Sequence, residues 1–239
     1  GAYTLQVVTA SRNAGSHRDY INMIDPASVR LLIDAVYEPH WQHYAADFGK
    51  TIAGFFSDEP ELGNGLLYQK GNTLGCGQDL PWSAPLEAAL SAACGPGWAA
   101  ALPRLFAQDG SNETARIHTA YMDCLTSLVR SNFSEQIAAW CHGHGVHYIG
   151  HVIEDDGQHC RTGSSLGHYF RGLQGQDMAG IDDIGGQVLP QGEDEPRMDN
   201  MRRPRNGTFY HYGLATLAES AAAIEPPKGG NAMCEIFGN

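Results

Sequence analysis

The sequence predicts an α/β fold, a (β/α) TIM-type barrel that is incomplete in this chain. Three observations predict it. Short apolar runs alternate with longer stretches of helical spacing, the rhythm of parallel strands joined by helical crossovers. Several apolar runs end in acidic residues, and in a (β/α) barrel the C-terminal strand ends converge on one site. No G-x-G-x-x-G turn follows the first apolar run and no G-x-x-x-x-G-K-[ST] occurs anywhere. That absence removes the main signature of the rival fold, an open doubly wound nucleotide-binding sheet.

The elements follow in order. Candidate strands cover residues 5–9, 52–56, 147–153, 179–184 and 232–237. Asp25 and Pro26 read as an N-cap followed by proline at the first helical position. After them Val29, Leu32, Ile33, Val36, His40, Trp41 and Tyr44 keep three/four spacing, and Pro39 is expected to kink or interrupt that helix. A longer helix is expected over 114–142, with Ile117, Tyr121, Cys124, Leu128 and Trp140 on its apolar face and Gly143 and Gly145 as its stop. Another covers 209–224 and is halted by Pro226 and Pro227. Residues 63–85 and 185–206 read as long irregular stretches, the first a lid or insertion. No repeat and no linker divides the chain, so 1–239 reads as a single catalytic domain, a portion of a longer multidomain protein. About five strands are countable where a full barrel needs eight. The isolated chain is therefore expected not to be a competent enzyme by itself.

Composition narrows the function classes. The 239 residues hold 27 acidic and 15 basic side chains, a formal net charge of −12. A sequence-independent nucleic-acid binder needs clustered Lys and Arg, so that class is excluded. Arg197, Arg202, Arg203 and Arg205 come closest to a cluster, but Glu193, Asp194, Glu195 and Asp199 stand among them. No run of 18 apolar residues occurs, so a membrane partner is not expected. The six cysteines show no CxxC pair and read as buried thiols rather than a disulfide framework or zinc site. The sequons at Asn112, Asn132 and Asn206 read as chance matches.

Three strand ends carry the chemistry. Phe55-Phe-Ser-Asp-Glu-Pro60 ends an apolar run in two carboxylates. Gly150-His-Val-Ile-Glu-Asp-Asp156 ends another in three. Met233-Cys-Glu-Ile-Phe-Gly238 sets Glu235 within an apolar run. Taken singly, the first is most often a helix cap or turn and the second a solvated loop. Glu235 is the least ordinary, because an unpaired carboxylate in an apolar strand is costly. Together they suit glycosidic bond cleavage, in which one carboxyl protonates the leaving oxygen and an ionised partner attacks the sugar or activates water.

The blocks Asn22-Met-Ile-Asp-Pro-Ala-Ser-Val and Phe48-Gly-Lys-Thr-Ile-Ala-Gly-Phe-Phe-Ser-Asp-Glu-Pro resemble the core of bacterial glycoside hydrolases related to the α-L-rhamnosidases. So do Gly150-His-Val-Ile-Glu, Ala179-Gly-Ile-Asp-Asp-Ile-Gly and Cys234-Glu-Ile-Phe-Gly. The blocks come in the family's order and span nearly the whole chain. The resemblance implies a barrel catalytic domain joined to β-sandwich domains and acting on plant or microbial polysaccharide. It places Glu59, Glu154 and Glu235 at catalytic carboxylate positions without saying which two form the pair. Glu59 and Glu235 are taken as the more important, with Glu154 the alternative partner. Asp58, His151, Asp182 and Asp183 are expected to bind substrate or tune the acid. The expected partners are a carbohydrate, rhamnosides leading, and the other domains of the parent chain. Such a parent fits a periplasmic or extracellular location, which the sequence leaves open.

Alternatives of other classes stand beside this one. A barrel that kept its fold and lost its chemistry would be a non-catalytic carbohydrate-binding module. Eleven histidines invite a metal-dependent hydrolase. His142, His144 and His147 cluster near a helix end, and His151, Glu154 and His159 span a strand end. Neither matches the HExxH arrangement. No cofactor is expected, although the acidic loops could supply oxygen ligands to calcium. Trp82, Tyr68, Tyr169 and Tyr210 could stack on sugar faces or simply anchor loops.

Overall fold

A computed structural model describes residues 5–11, 19–64, 74–75, 79–154, 159, 162, 165–184, 187–188, 191–193, 197–198 and 204–236. In chain order come α1 (Pro26–Leu32), a π-helical turn (Ile33–Tyr37), α2 (Glu38–Tyr44), β1 (Gly54–Ser57), α3 (Ala84–Cys94) and a 3-10 stretch (Trp98–Phe106). Next are α4 (Asn112–Leu128), a second π turn (Val129–Ser134), α5 (Glu135–Gly143), β2 (His147–Gly150), α6 (Tyr169–Gly172) and β3 (Ala179–Asp183). The two-residue strands β4 (Arg197–Met198) and β5 (Pro204–Arg205), a third π turn (Phe209–Gly213), α7 (Leu214–Ile224) and β6 (Ala232–Ile236) complete the order.

The helices start where local chemistry directs. The Asp25 carboxylate accepts from the Ala27 N–H at 3.0 Å, Ser83 Oγ from Leu86 at 3.2 Å and Ser111 Oγ from Thr114 at 3.1 Å. Each relieves an N–H that the first helical turn leaves unpaired. Pro39 does not break its helix. The π turn over Ile33–Tyr37 comes just before it, and the proline falls in the first turn of α2, where no N–H is required. The expected helix over 114–142 is continuous apart from its π turn and begins two residues earlier.

One expectation needs correction. Residues 5–9 form no strand. All of residues 5–11 are exposed and have no ladder partner among the described residues, so nothing rewards the extended form. α3 and the 3-10 stretch after it lie where the apolar pattern announced no element. The signal was Ser83-Ala-Pro-Leu-Glu, an N-cap serine with proline and an acid in the first turn.

β1 pairs in parallel with β2, and β3 pairs in parallel with β6. The two pairs abut at β2 and β3. The Asp177 N–H donates to the Tyr148 carbonyl at 2.8 Å, and the Tyr169 hydroxyl donates to Gly180 O at 2.7 Å. The four strands thus stand in chain order, β1, β2, β3, β6. Side chains alternate along each strand. Phe55, Tyr148 and Ile181 turn to the helical layer, where Phe55 lies 4.6 Å from the Tyr37 ring and 5.8 Å from Trp140. There they join a core that includes Ile24, Val29, Leu125, Phe133, Ile137 and Leu173. Phe56, Ile149, Asp182 and Glu235 turn to the other face. No helix among the described residues is long and apolar enough to cross a membrane.

The strand contact rests on Gly180. A Cβ there would collide with the carbonyl oxygen of Gly150 and press on His151 Cβ at 3.1 Å. Because the first obstacle is backbone, no rotamer change relieves it. Gly180→Ala is expected to cost about 3 kcal/mol, the upper end for overpacking, read by urea denaturation. Gly143→Ala, where a Cβ meets nothing within 4 Å, should leave the midpoint almost unchanged.

At the opposite end of the strands, Asp177 joins the α5 terminus to β2. Its Oδ2 accepts from the Tyr148 N–H at 2.8 Å and contacts His142 Nε2 at 3.0 Å, and its Oδ1 lies 3.4 Å from His147 Nδ1. Burial alone would raise this carboxyl, but the Tyr148 amide and the two imidazoles outweigh it and hold it below the usual aspartate value. A carboxylate whose value is lowered by folding adds stability above its unfolded value, and that share is lost as pH falls through the folded one. Acid titration of stability should therefore fall below about pH 4, and Asp177→Asn should flatten that fall. An identical acid limb in the variant would remove Asp177 from the account.

Candidate active site

The site is built where β1, β2, β3 and β6 end. Gly150 closes β2 with φ +155°, and a Cβ on it would collide with the Ser57 carbonyl oxygen. Glycine therefore lets β1 and β2 approach, and the next residue, His151, donates its N–H to Ser57 O at 3.2 Å. The His151 side chain is 1% exposed. Its Nδ1 lies 3.2 Å from the Val152 carbonyl, and its Nε2 lies 3.0 Å from Glu235 Oε2 and 3.4 Å from Asp58 Oδ1. The Phe56 ring meets it edge-on, with centroids 5.6 Å apart. One imidazole thus links the ends of β1, β2 and β6.

Two overlapping groups share that imidazole. Asp58, His151 and Glu235 place one ligand-type atom each within 4.8 Å of one another, and so do Glu59, His151 and Asp182. Register explains the third strand's share, since Asp182 is paired with Glu235 and both face the same side. Either group could hold a divalent cation. The donors are mostly carboxylate oxygens with one nitrogen, a set that suits a hard ion such as calcium better than zinc.

Glu59 reaches the cluster at a conformational cost. Its φ is +41°, in the left-handed region that side chains with a Cβ avoid by roughly 1–2 kcal/mol. Strain of this kind persists only where the surroundings impose it, and it gathers at functional sites.

Glu154 has a different setting. The regular strand stops at Gly150, and four irregular residues carry Glu154 back beneath β3, where it is 1% exposed. Its Oε1 accepts the backbone N–H of Asp182. That bond pins the end of β3, and it makes Glu154 a brace for Asp182. Asp183 is set apart from the cluster. It pairs with Ile236 on the face opposite Asp182, and its Oδ1 accepts the Val188 N–H at 3.3 Å.

The field of the cluster registers on a neighbour. Burial pushes the Cys234 thiol up, and the carboxylates of Asp183, Asp182, Glu154 and Glu235 push it further, to about 11. A thiol held so high is a poor nucleophile at neutral pH.

The predicted residues Asp58, Glu59, His151, Asp182 and Glu235 come together, with Glu154 behind them and Asp183 outside. Sequence reading passed over Phe56, Gly150 and Gly180. Strand alternation would have found Phe56, because it shares a face with Asp58. Of the other histidine grouping, His142 and His147 meet on Asp177 at the far end, while His144 stacks on Trp140 at 4.0 Å. His159 lies 5.9 Å from the Tyr169 ring, and burial pushes its imidazole below the usual value. Of the aromatics, Tyr169 and Tyr210 are buried, Trp82 stacks on Trp98 at 5.8 Å, and Tyr68 lies outside the described residues. The chain matches no family model, no curated protein and no solved structure, so the site rests on its own residues and geometry.

Proposed function

We propose that the chain is part of the catalytic barrel of a glycoside hydrolase that cleaves O-glycosidic bonds in poly- or oligosaccharides, rhamnosides being the first to test. The observation that carries the reading is the convergence of Asp58, Glu59, Asp182 and Glu235 on buried His151 from different strand ends. Four parallel strands in chain order, with the cluster at their C-terminal ends, support a barrel wall. A doubly wound sheet would reverse its strand order at the ligand site.

Glu59 and Glu235 are the reaction carboxylates in this reading. One gives its proton to the glycosidic oxygen as the bond from anomeric carbon to oxygen breaks. The other attacks that carbon, or takes a proton from the water whose hydroxyl bonds to it. Carboxylates accept hydrogen bonds only, so Asp58 and Asp182 suit the hydroxyl donors of a sugar ring. Glu154 acts through Asp182 as its brace.

A second reading has its own observation. Both three-residue groups could hold a cation, and because each contains one of the two reaction carboxylates, a calcium bound there would orient sugar hydroxyls and withdraw that glutamate from the acid, base or nucleophile role. A panel of aryl glycosides, assayed on this chain and on its longer parent before and after chelation, tests both readings. Turnover of at least one glycoside is expected from the longer parent, with little or none from this chain by itself. Turnover lost on chelation and restored by calcium selects the second reading. Sugar binding without turnover, unchanged in Glu59→Gln, would overturn both in favour of a non-catalytic module.

A further inference from the structure

Beside the carboxylate cluster lies a cavity of about 920 Å³, which none of the clustered carboxylates lines. That volume is near the upper end of the roughly 300–1,000 Å³ of small-molecule sites, so more than one sugar ring fits. Leu62 and Asn64 belong to its wall, three and five residues after Glu59, and three residues of chain span at most about 11 Å. The Leu62 N–H donates to Ser165 O at 3.2 Å, which fixes this part of the wall. The part around Trp82 is fixed as well. Asn22 Nδ2 donates to Trp82 O at 2.9 Å, the Tyr121 hydroxyl donates to Pro81 O at 2.6 Å, and the Trp82 ring stacks on Trp98. The cavity is therefore preformed.

Asn64 says what kind of guest it suits. The residue is 6% exposed, and its Nδ2 donates to Asp79 O at 2.5 Å. That bond sets the orientation of the amide, because the reverse orientation would bring two acceptors together. Its Oδ1 is buried without a hydrogen-bond partner. A buried acceptor left unpaired is costly, and a bound hydroxyl relieves that cost. The charged side chains agree. Asp19, Asp79 and Glu87 bring exposed carboxylates to the rim, and among the described residues no lysine, arginine or histidine lines the cavity. Such a lining repels anions. Because the buried acceptor is a neutral amide and the carboxylates stand in water, a hydroxyl matches it better than an ammonium. Leu80, Leu102 and Phe106, with Trp82, offer apolar surface to the C–H faces of a sugar.

We propose that this cavity is a subsite for neutral sugar residues of an oligosaccharide, held through Asn64 Oδ1 and the Trp82 wall, and that it rejects uronates. Its link to turnover rests on the hydrolase reading, whereas binding does not.

Calorimetric titration of this chain with neutral tetrasaccharides of rhamnose, mannose and glucose should show binding of at least one, and a galacturonate tetrasaccharide should not bind. Asn64→Ala should weaken the neutral ligand about three- to tenfold, the worth of one hydrogen bond. Leu102→Trp fills the cavity without removing Asn64, should weaken binding at least as much, and decides the matter if Asn64→Ala fails to fold. On the longer parent, both variants should raise KM for the bound tetrasaccharide and leave an aryl glycoside of a single sugar unaffected, since that substrate reaches only the carboxylates. No neutral ligand bound, galacturonate bound as tightly, or binding indifferent to both substitutions would each overturn the subsite, even where the parent hydrolyses glycosides. A parent that hydrolyses nothing, with binding that still depends on Asn64 and Leu102, would overturn the hydrolase reading and uphold the subsite.

Discussion

Glu235→Gln is expected to lower kcat for glycoside hydrolysis by about 10²–10⁴-fold, the range that one general acid or base contributes. The glutamine keeps the size of the side chain and can still lie 3.0 Å from His151, so the fold should survive. What it loses is the charge and the ability to exchange a proton. Glu59→Gln should fall by a similar factor. The double variant should fall by much less than the product of the two, because residues that act as a unit are not additive. Asp183→Asn is the internal comparison. It lies on the other face of β3 and holds a loop amide, so its kcat should stay near that of the wild type. Steady-state kinetics on the best glycoside of the panel reads all four. A Glu235→Gln enzyme within a few-fold of wild type would take Glu235 out of the reaction.

The largest stability effect is expected far from the site, at Lys228. Its side chain is fully buried. Its Nζ donates to Leu173 O at 2.7 Å and Gln176 O at 2.8 Å, and pairs with Glu225 Oε2 at 2.9 Å. Burial pulls the ammonium below the ordinary lysine value against the opposing pull of Glu225. These contacts tie the turn after α7 to the segment leading into β3, at the end of the strands opposite the carboxylates. Lys228→Met would strand a buried carboxylate and two carbonyl oxygens. The expected loss is about 3–5 kcal/mol, the cost of breaking a buried pair by removing one partner. Adding Glu225→Leu should recover part of it, since a pair replaced by apolar groups avoids the uncompensated charge. Urea denaturation of the single and double variants checks both statements. A single variant within 1 kcal/mol of wild type would mean that the buried pair contributes little.

These two predictions draw on different kinds of legibility. Glu235 was conspicuous in the sequence because a carboxylate stood in an apolar strand, and such a residue needs a partner. Lys228 carried no signal, since a lysine after Pro226-Pro227 reads as an ordinary solvated turn. Its burial follows from where α7 places that turn against Leu173 and Gln176, residues more than fifty positions earlier. Glu154 and Asp183 show the same limit within the site. Both stand in acidic runs at strand ends, yet one turns back as a brace and the other faces away. The choice depends on where β2 stops being regular and on the register of β3 against β6.

The sequence by itself determined the alternation of strands and helices, four of the five expected strands, the helix starts at Asp25 and the acidic character of three strand ends. These follow from local rules: periodicity, capping and the cost of carboxylates in apolar runs act within a few residues. Only the tertiary structure decided that β1, β2, β3 and β6 stand in that order, that residues 5–9 gain no strand partner, and that His151 gathers carboxylates from three strand ends. It also decided the left-handed backbone of Glu59. The physical reason is that these features are set by groups far apart in the chain. Gly150 and Gly180 let backbones meet, parallel register places Asp182 beside Glu235, and anchors on both sides of Glu59 fix a φ that its own side chain disfavours.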